Sequence, residues 1–169
     1  LISVDQEGGR VQRIKKPATI WPPMRHLGEL DAPKLTYQIA SAIARELRAM
    51  NFDINFAPVL DIDTNPDNPI ISDRAFGRDS KTVITHANAF IKGLYDNGIA
   101  ACGKHFPGHG DTDLDSHVAL PKISHSIERL QKIEWQPFKS AIDSGLDAIM
   151  TAHILVESID DTYPATLSP

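Results

Sequence analysis

Four short, nearly continuous runs of apolar and small residues recur along the chain, separated by segments with helical periodicity. The runs are Leu1–Val4, Phe56–Leu60, Ile99–Gly103 and Ala148–Ala152. Runs of this length without polar alternation predict strands covered on both faces. The first intervening helix has Pro33 in its opening turn after Asp31 and places Leu35, Ile39, Ile43 and Leu47 at i+4 spacing as one buried stripe. The second starts at Asp79 or Ser80 as N-cap, carries Val83, Ala87, Phe90, Ile91 and Leu94, and stops at Asn97-Gly98. The third runs from near Ser126 to Gly145 with Leu130, Ile133, Phe138, Ala141 and Ile142 inward, and Pro137 should kink or divide it. Strands alternating with helices predict parallel βαβ units. An open doubly wound sheet and a (β/α)8 barrel both fit. No phosphate-cradling glycine motif follows any strand, which argues against a nucleotide-binding open sheet.

Composition narrows the class further. The chain has 169 residues, 41% of them hydrophobic, with formal net charge −5. That suits one globular domain and gives no basic footprint for nucleic acid or an anionic membrane. No apolar run approaches the ~20 residues that span a bilayer. No secretory signal pattern is present. Leu1 falls inside a strand, so the chain reads as a piece lacking its N-terminal start. Cys102 is the sole cysteine; flanked by small residues at the end of an apolar run, it reads as a buried core residue.

Each run delivers a charged or titratable group at its C-terminal end: Asp5, then Asp61 and Asp63, then Lys104 and His105, then His153. In a barrel that end binds ligands while the interior below is packed with apolar layers. Singly, Asp61 reads equally as a residue that orients a loop, and His153 as a satisfied core histidine. Together the placements favour a site. The connecting loops carry Gly8-Gly9 beside Asp5 and present Arg74 on a proline-studded segment.

The stretch from Lys104 to His117 packs three His and three Asp into fourteen residues. Asp111, Asp113 and Asp115 imitate the start of an EF-hand, but Ser116 stands where glycine is needed and Lys122 where the bidentate Glu belongs. A transition metal held by His105, His109, His117 and an Asp has suitable ligand types without a standard spacing. Acid–base chemistry by His117, with Asp115 orienting the ring, is the third reading, since imidazole exchanges protons near neutral pH, and a merely solvated polar loop is the fourth.

These blocks together carry a resemblance. Asp5-Gln-Glu-Gly-Gly-Arg-Val-Gln-Arg13, Phe56-Ala-Pro-Val-Leu-Asp61, Arg74-Ala-Phe-Gly77, Lys104-His-Phe-Pro-Gly-His-Gly-Asp111, Asp115-Ser-His117 and Met150-Thr-Ala-His153 resemble family 3 glycoside hydrolases. The likeness is nearest to the bacterial β-N-acetylhexosaminidases of peptidoglycan recycling, and it covers the whole chain in order. It implies a (β/α)8 barrel of TIM type, of which residues 1–169 hold about four β/α units, without the start and the later strands. It implies that Asp5, Arg13, Arg74, Lys104 and His105 bind a terminal N-acetylglucosamine. It implies that His117, paired with Asp115, is the general acid/base. The Asp115–His117 pair separates this subgroup from the β-glucosidases and phosphorylases of the family. The resemblance further implies a retaining reaction on muropeptides with no metal or organic cofactor, and a cytoplasmic location. The family's nucleophile, an aspartate on a later strand, is expected beyond Pro169. A non-catalytic sugar-binding fragment is the alternative from another class.

Overall fold

The computed structural model describes residues 1–112 and 120–169. In chain order it contains β1 (Ser3–Val4), the short strands β2 (Gln6–Gly8) and β3 (Val11–Gln12), helices α1 (Met24–Glu29) and α2 (Pro33–Ala49), and β4 (Ile54–Asn55). A single 3-10 turn at Ser72–Arg74 precedes α3 (Ser80–Tyr95), β5 (Ala100–Phe106) and β6 (Lys122–Ile123). Then come α4 (Ile127–Lys132), α5 (Gln136–Asp143), β7 (Ala148–Thr151) and β8 (Leu155–Val156).

The central sheet has the order β1-β4-β5-β7 and every pairing is parallel. Ser3 aligns with Ile54, Ile54 with Ala100, and Cys102 with Ala148. Spatial order follows chain order without reversal. That is how a barrel wall is laid down; a doubly wound sheet reverses at a switch point, and none occurs among the described strands.

Helices α2 and α3 pack against each other beside the sheet, and α3 also meets α5. A Cβ on Gly93 of α3 would stand 2.6 Å from the Tyr37 carbonyl oxygen of α2, so only glycine permits this approach. Ile43, Leu47, Val83, Phe90, Leu94 and Phe138 fill the core between helices and strands. The start of α3 is fixed by Asp79, whose side chain accepts the Thr82 amide at 2.9 Å. Its end is set by Gly98, at φ +74°. Pro137 divides the third helical segment into α4 and α5, as its missing amide requires.

Four expectations are corrected. The second strand lies at Ile54–Asn55, not at 56–60. Pro58 has no amide to donate, so residues 56–60 run beside β5 with irregular bonds: Cys102 N to Ala57 O at 3.1 Å and Leu60 N to Lys104 O at 2.6 Å. Leu35 is exposed, because the buried face of α2 turns through Thr36, Ala40, Ile43, Ala44 and Leu47 instead. Ile142 is exposed on α5. Of the predicted fully covered strands, the first run leaves Leu1, Ile2 and Ser3 exposed and β7 presents Ala148, Ile149 and Thr151 to solvent, since β1 and β7 are the two edges of the described sheet. Among the described residues, no helix is long and apolar enough to cross a membrane.

Candidate active site

A cleft of about 520 Å³ opens at the C-terminal ends of the parallel strands. Asp5 follows β1, Lys104 and His105 end β5, and His153 follows β7; all four line it. Arg74 enters from the 3-10 turn, and Arg13 from the end of the β2–β3 hairpin. The five residues expected to bind sugar are therefore brought to one cavity. His117 and Asp115 lie outside the described residues.

The centre of the site is a buried ion cluster. Lys104 Nζ lies 2.7 Å from Asp5 Oδ1 and 2.5 Å from Glu7 Oε1. Arg74 grips the same Glu7 with two parallel bonds, Nε to Oε2 and Nη2 to Oε1, each 2.9 Å. Arg74 Nη2 also reaches His105 Nε2 at 3.3 Å. A guanidinium can only donate, so Nε2 accepts and the ring proton sits on Nδ1. Nδ1 in turn bonds Asp61 Oδ2 at 2.6 Å. Asp61 is fully enclosed and also accepts the backbone amides of His105 and His109. Of its two sequence readings, the structure supports the residue that orients a loop.

Burial by itself would raise the carboxyl pKa of Glu7. The hydrogen bonds and charges of Arg74 and Lys104 outweigh it and hold the group below its ordinary value. Asp61 follows the same logic: burial raises it, and the hydrogen bonds it accepts from the His105 ring and the His109 amide help bring it below the usual carboxylate range. Burial would lower the Arg74 pKa, but its bonds to Glu7 raise it overall, so the guanidinium stays charged. His109, hydrogen-bonded at 2.6 Å between Nδ1 and Thr112 Oγ1, is pushed down mainly by burial.

The outer residues are looser. Arg13 sits 3.9 Å from Asp5 with its side chain 65% exposed, free to swing toward a ligand. Arg10, which the sequence reading did not single out, lines the cleft but spends its guanidinium on the carbonyls of Pro69 and Ile70 and on Asp73. His153 is exposed and shares a 2.9 Å bond with Thr166. Asp63 is turned away from the cleft onto Arg25 at 2.7 Å. Glu7 stands at no predicted strand end, although the sequence holds one signal for it. Asp5 and Glu7 are two residues apart on extended backbone, so both side chains face one way and converge on Lys104.

Among the described residues, no group of three or more His, Cys, Asp or Glu is arranged to hold a metal ion. The site offers directed N–H donors and acceptors on a charge-balanced wall, which suits a ligand rich in hydroxyl groups.

Strands in chain order with a polar site at their C-terminal ends define a TIM-barrel-type α/β domain. The profile described as the glycosyl hydrolase family 3 N terminal domain matches residues 1–169, and the chain belongs to that family. A protein named beta-hexosaminidase from Nitrosomonas eutropha is 43% identical over 166 residues, covering 95% of this chain and 47% of the relative. A family 3 beta-N-acetylglucosaminidase from Paenibacillus superposes with TM-score 0.96 at 46% identity, covering 99% of this chain and 32% of that one. NagZ from Neisseria gonorrhoeae, solved in complex with N-trifluoroacetyl-D-glucosamine, superposes with TM-score 0.95 at 38% identity, covering 99% of this chain and 51% of that one. The chain spans about half the length of the curated relatives it matches.

Proposed function

We propose that these residues form the sugar-binding half of a retaining exo-β-N-acetylhexosaminidase that removes terminal non-reducing N-acetylglucosamine. The observation that carries the reading is the cluster of Asp5, Lys104, Glu7, Arg74 and His105 at the strand ends. It supplies fixed hydrogen-bonding partners for the ring hydroxyls of one sugar. The names of the relatives, and the N-acyl-glucosamine in the Neisseria complex, support the substrate class. Muropeptides of cell-wall recycling are the natural substrates we infer, in the cytoplasm.

The chemistry divides between two groups. His117, oriented by Asp115, protonates the leaving oxygen and then activates water. An aspartate beyond Pro169 attacks the anomeric carbon. Retaining glycosidases commonly use two carboxyl groups; a histidine donates its proton as the imidazolium and is left neutral, where a carboxylic acid would leave a second anion beside the reacting centre. No metal or organic cofactor takes part.

The test is hydrolysis by the full-length protein of aryl N-acetyl-β-glucosaminides and aryl β-glucosides. Preference for the N-acetyl series is expected. Replacing His117 by Ala should depress kcat/KM strongly for poor leaving groups and little for good ones. Equal losses on both would remove the acid role.

A further inference from the structure

We propose that Glu7 is a specificity-determining residue, which makes the cleft select uncharged sugars over anionic ones by neutralising Arg74 and Lys104 from behind the cleft wall. An adjacent Arg and Lys form the donor set that ordinarily captures phosphate or carboxylate. Here that set is already occupied. The guanidinium fork of Arg74 is filled by both oxygens of Glu7, and Lys104 lies between Glu7 and Asp5. Two carboxylates thus meet two cations, while Asp61 is committed to His105 and two backbone amides.

Glu7 itself does not line the cleft, and only 2% of its side chain is exposed. It acts through the two cations, whose remaining N–H groups can donate to hydroxyls without presenting net positive charge. An anionic ligand entering the cleft would have to displace Glu7 or tolerate Asp5. Specificity of this kind is a difference between two affinities, set as much by what repels the wrong ligand as by what holds the right one. Stability alone does not account for the arrangement, because well-packed apolar side chains often replace a whole buried ion cluster at no cost.

The inference rests on the reading that the cleft takes N-acetylglucosamine. Its test measures competitive inhibition of the full-length protein by N-acetylglucosamine, N-acetylglucosamine 6-phosphate and inorganic sulfate. The wild type should be inhibited by the neutral sugar and much less by the two anions. In Glu7→Gln, affinity for the neutral sugar should fall about tenfold as Arg74 and Lys104 lose their shared partner. Affinity for the anions should rise by a similar factor, so the selectivity ratio collapses. The double variant Glu7→Gln/Arg74→Gln restores the charge balance, serves if the single variant does not fold, and should again exclude the anions. Equal losses for neutral and anionic ligands, or anion binding by the double variant, would overturn the inference alone. Failure of N-acetylglucosamine to inhibit the wild type would overturn the functional reading, and this inference with it.

Discussion

The Asp61 carboxylate holds His105 twice, with Oδ2 2.6 Å from the ring Nδ1 and 3.2 Å from the backbone amide. Its other oxygen takes the amide of His109 at 2.7 Å. One buried side chain therefore fixes His105 near the end of β5 and His109 in the loop that follows. In Asp61→Asn one acceptor becomes a donor facing N–H groups. The expected loss is about 2 kcal/mol, the size of a charged hydrogen bond left unmade in a buried place. Urea denaturation of the variant reads it, and N-acetylglucosamine affinity should fall alongside. An unchanged midpoint would show that Asp61 is not the anchor.

Stability should rise with pH in two steps. His109 has its folded pKa depressed by burial below the ordinary 6.5, so the unfolded chain binds the proton first. Stability is therefore lost as pH falls through 6.5 toward the folded value. Glu7 and Asp61 have folded values below their ordinary 4.5 and 3.8. Their contribution is complete above those values and is lost as pH falls through and below them. Urea midpoints measured across the range check both steps. His109→Asn should shrink the upper step, of which the buried His86, its pKa likewise lowered by burial, keeps the rest, and leave the lower one.

Gly110 lies where the loop after β5 crosses the segment after β4. A Cβ there would stand 1.7 Å from the Ile62 carbonyl oxygen. Space, and not an unusual backbone angle, demands glycine. Gly110→Ala should push this loop away from residues 61–63, costing about 1–3 kcal/mol by overpacking. Thermal unfolding measures the loss, and a weaker grip on N-acetylglucosamine should accompany it, because Asp61 and His109 belong to the two crossing segments.

Asp79 supplies a contrast far from the chemistry. Its carboxylate caps α3 through the Thr82 amide at 2.9 Å, and that bond holds its pKa below the ordinary value. Asp79→Ala should cost about 1 kcal/mol of stability. Sugar affinity should stay at the wild-type level, and a change in affinity would mean that α3 shapes the cleft more directly.

The helices were legible because their signals are local. Pro33, Asp79, Gly98 and Pro137 act on the backbone within a turn of themselves, and the structure shows each at the boundary its chemistry predicts. Strand positions were less legible. Two-residue strands such as β1 and β4 carry almost no periodic signal, and Pro58 moved the regular pairing upstream. The apolar character of β7 predicts burial on both faces, but burial depends on a neighbour, and none of the described elements covers it.

Arg13 and Arg74 were joined to the site only by the family resemblance; by itself, the sequence determined that parallel βαβ units would place Asp5, Asp61, Asp63, Lys104, His105 and His153 at one end of a sheet. This followed because strand direction and side-chain alternation are properties of the chain. Only the tertiary structure decided which charges cancel. Glu7 lies ninety-seven residues before Lys104 and sixty-seven before Arg74, and no pattern in one dimension says that a single carboxylate meets both. Likewise only the fold showed that Asp61 serves the loop and Asp63 serves Arg25, though they stand two apart in the chain. Short-range sterics write elements into sequence, whereas ion pairing depends on distances that exist only after the strands have come together.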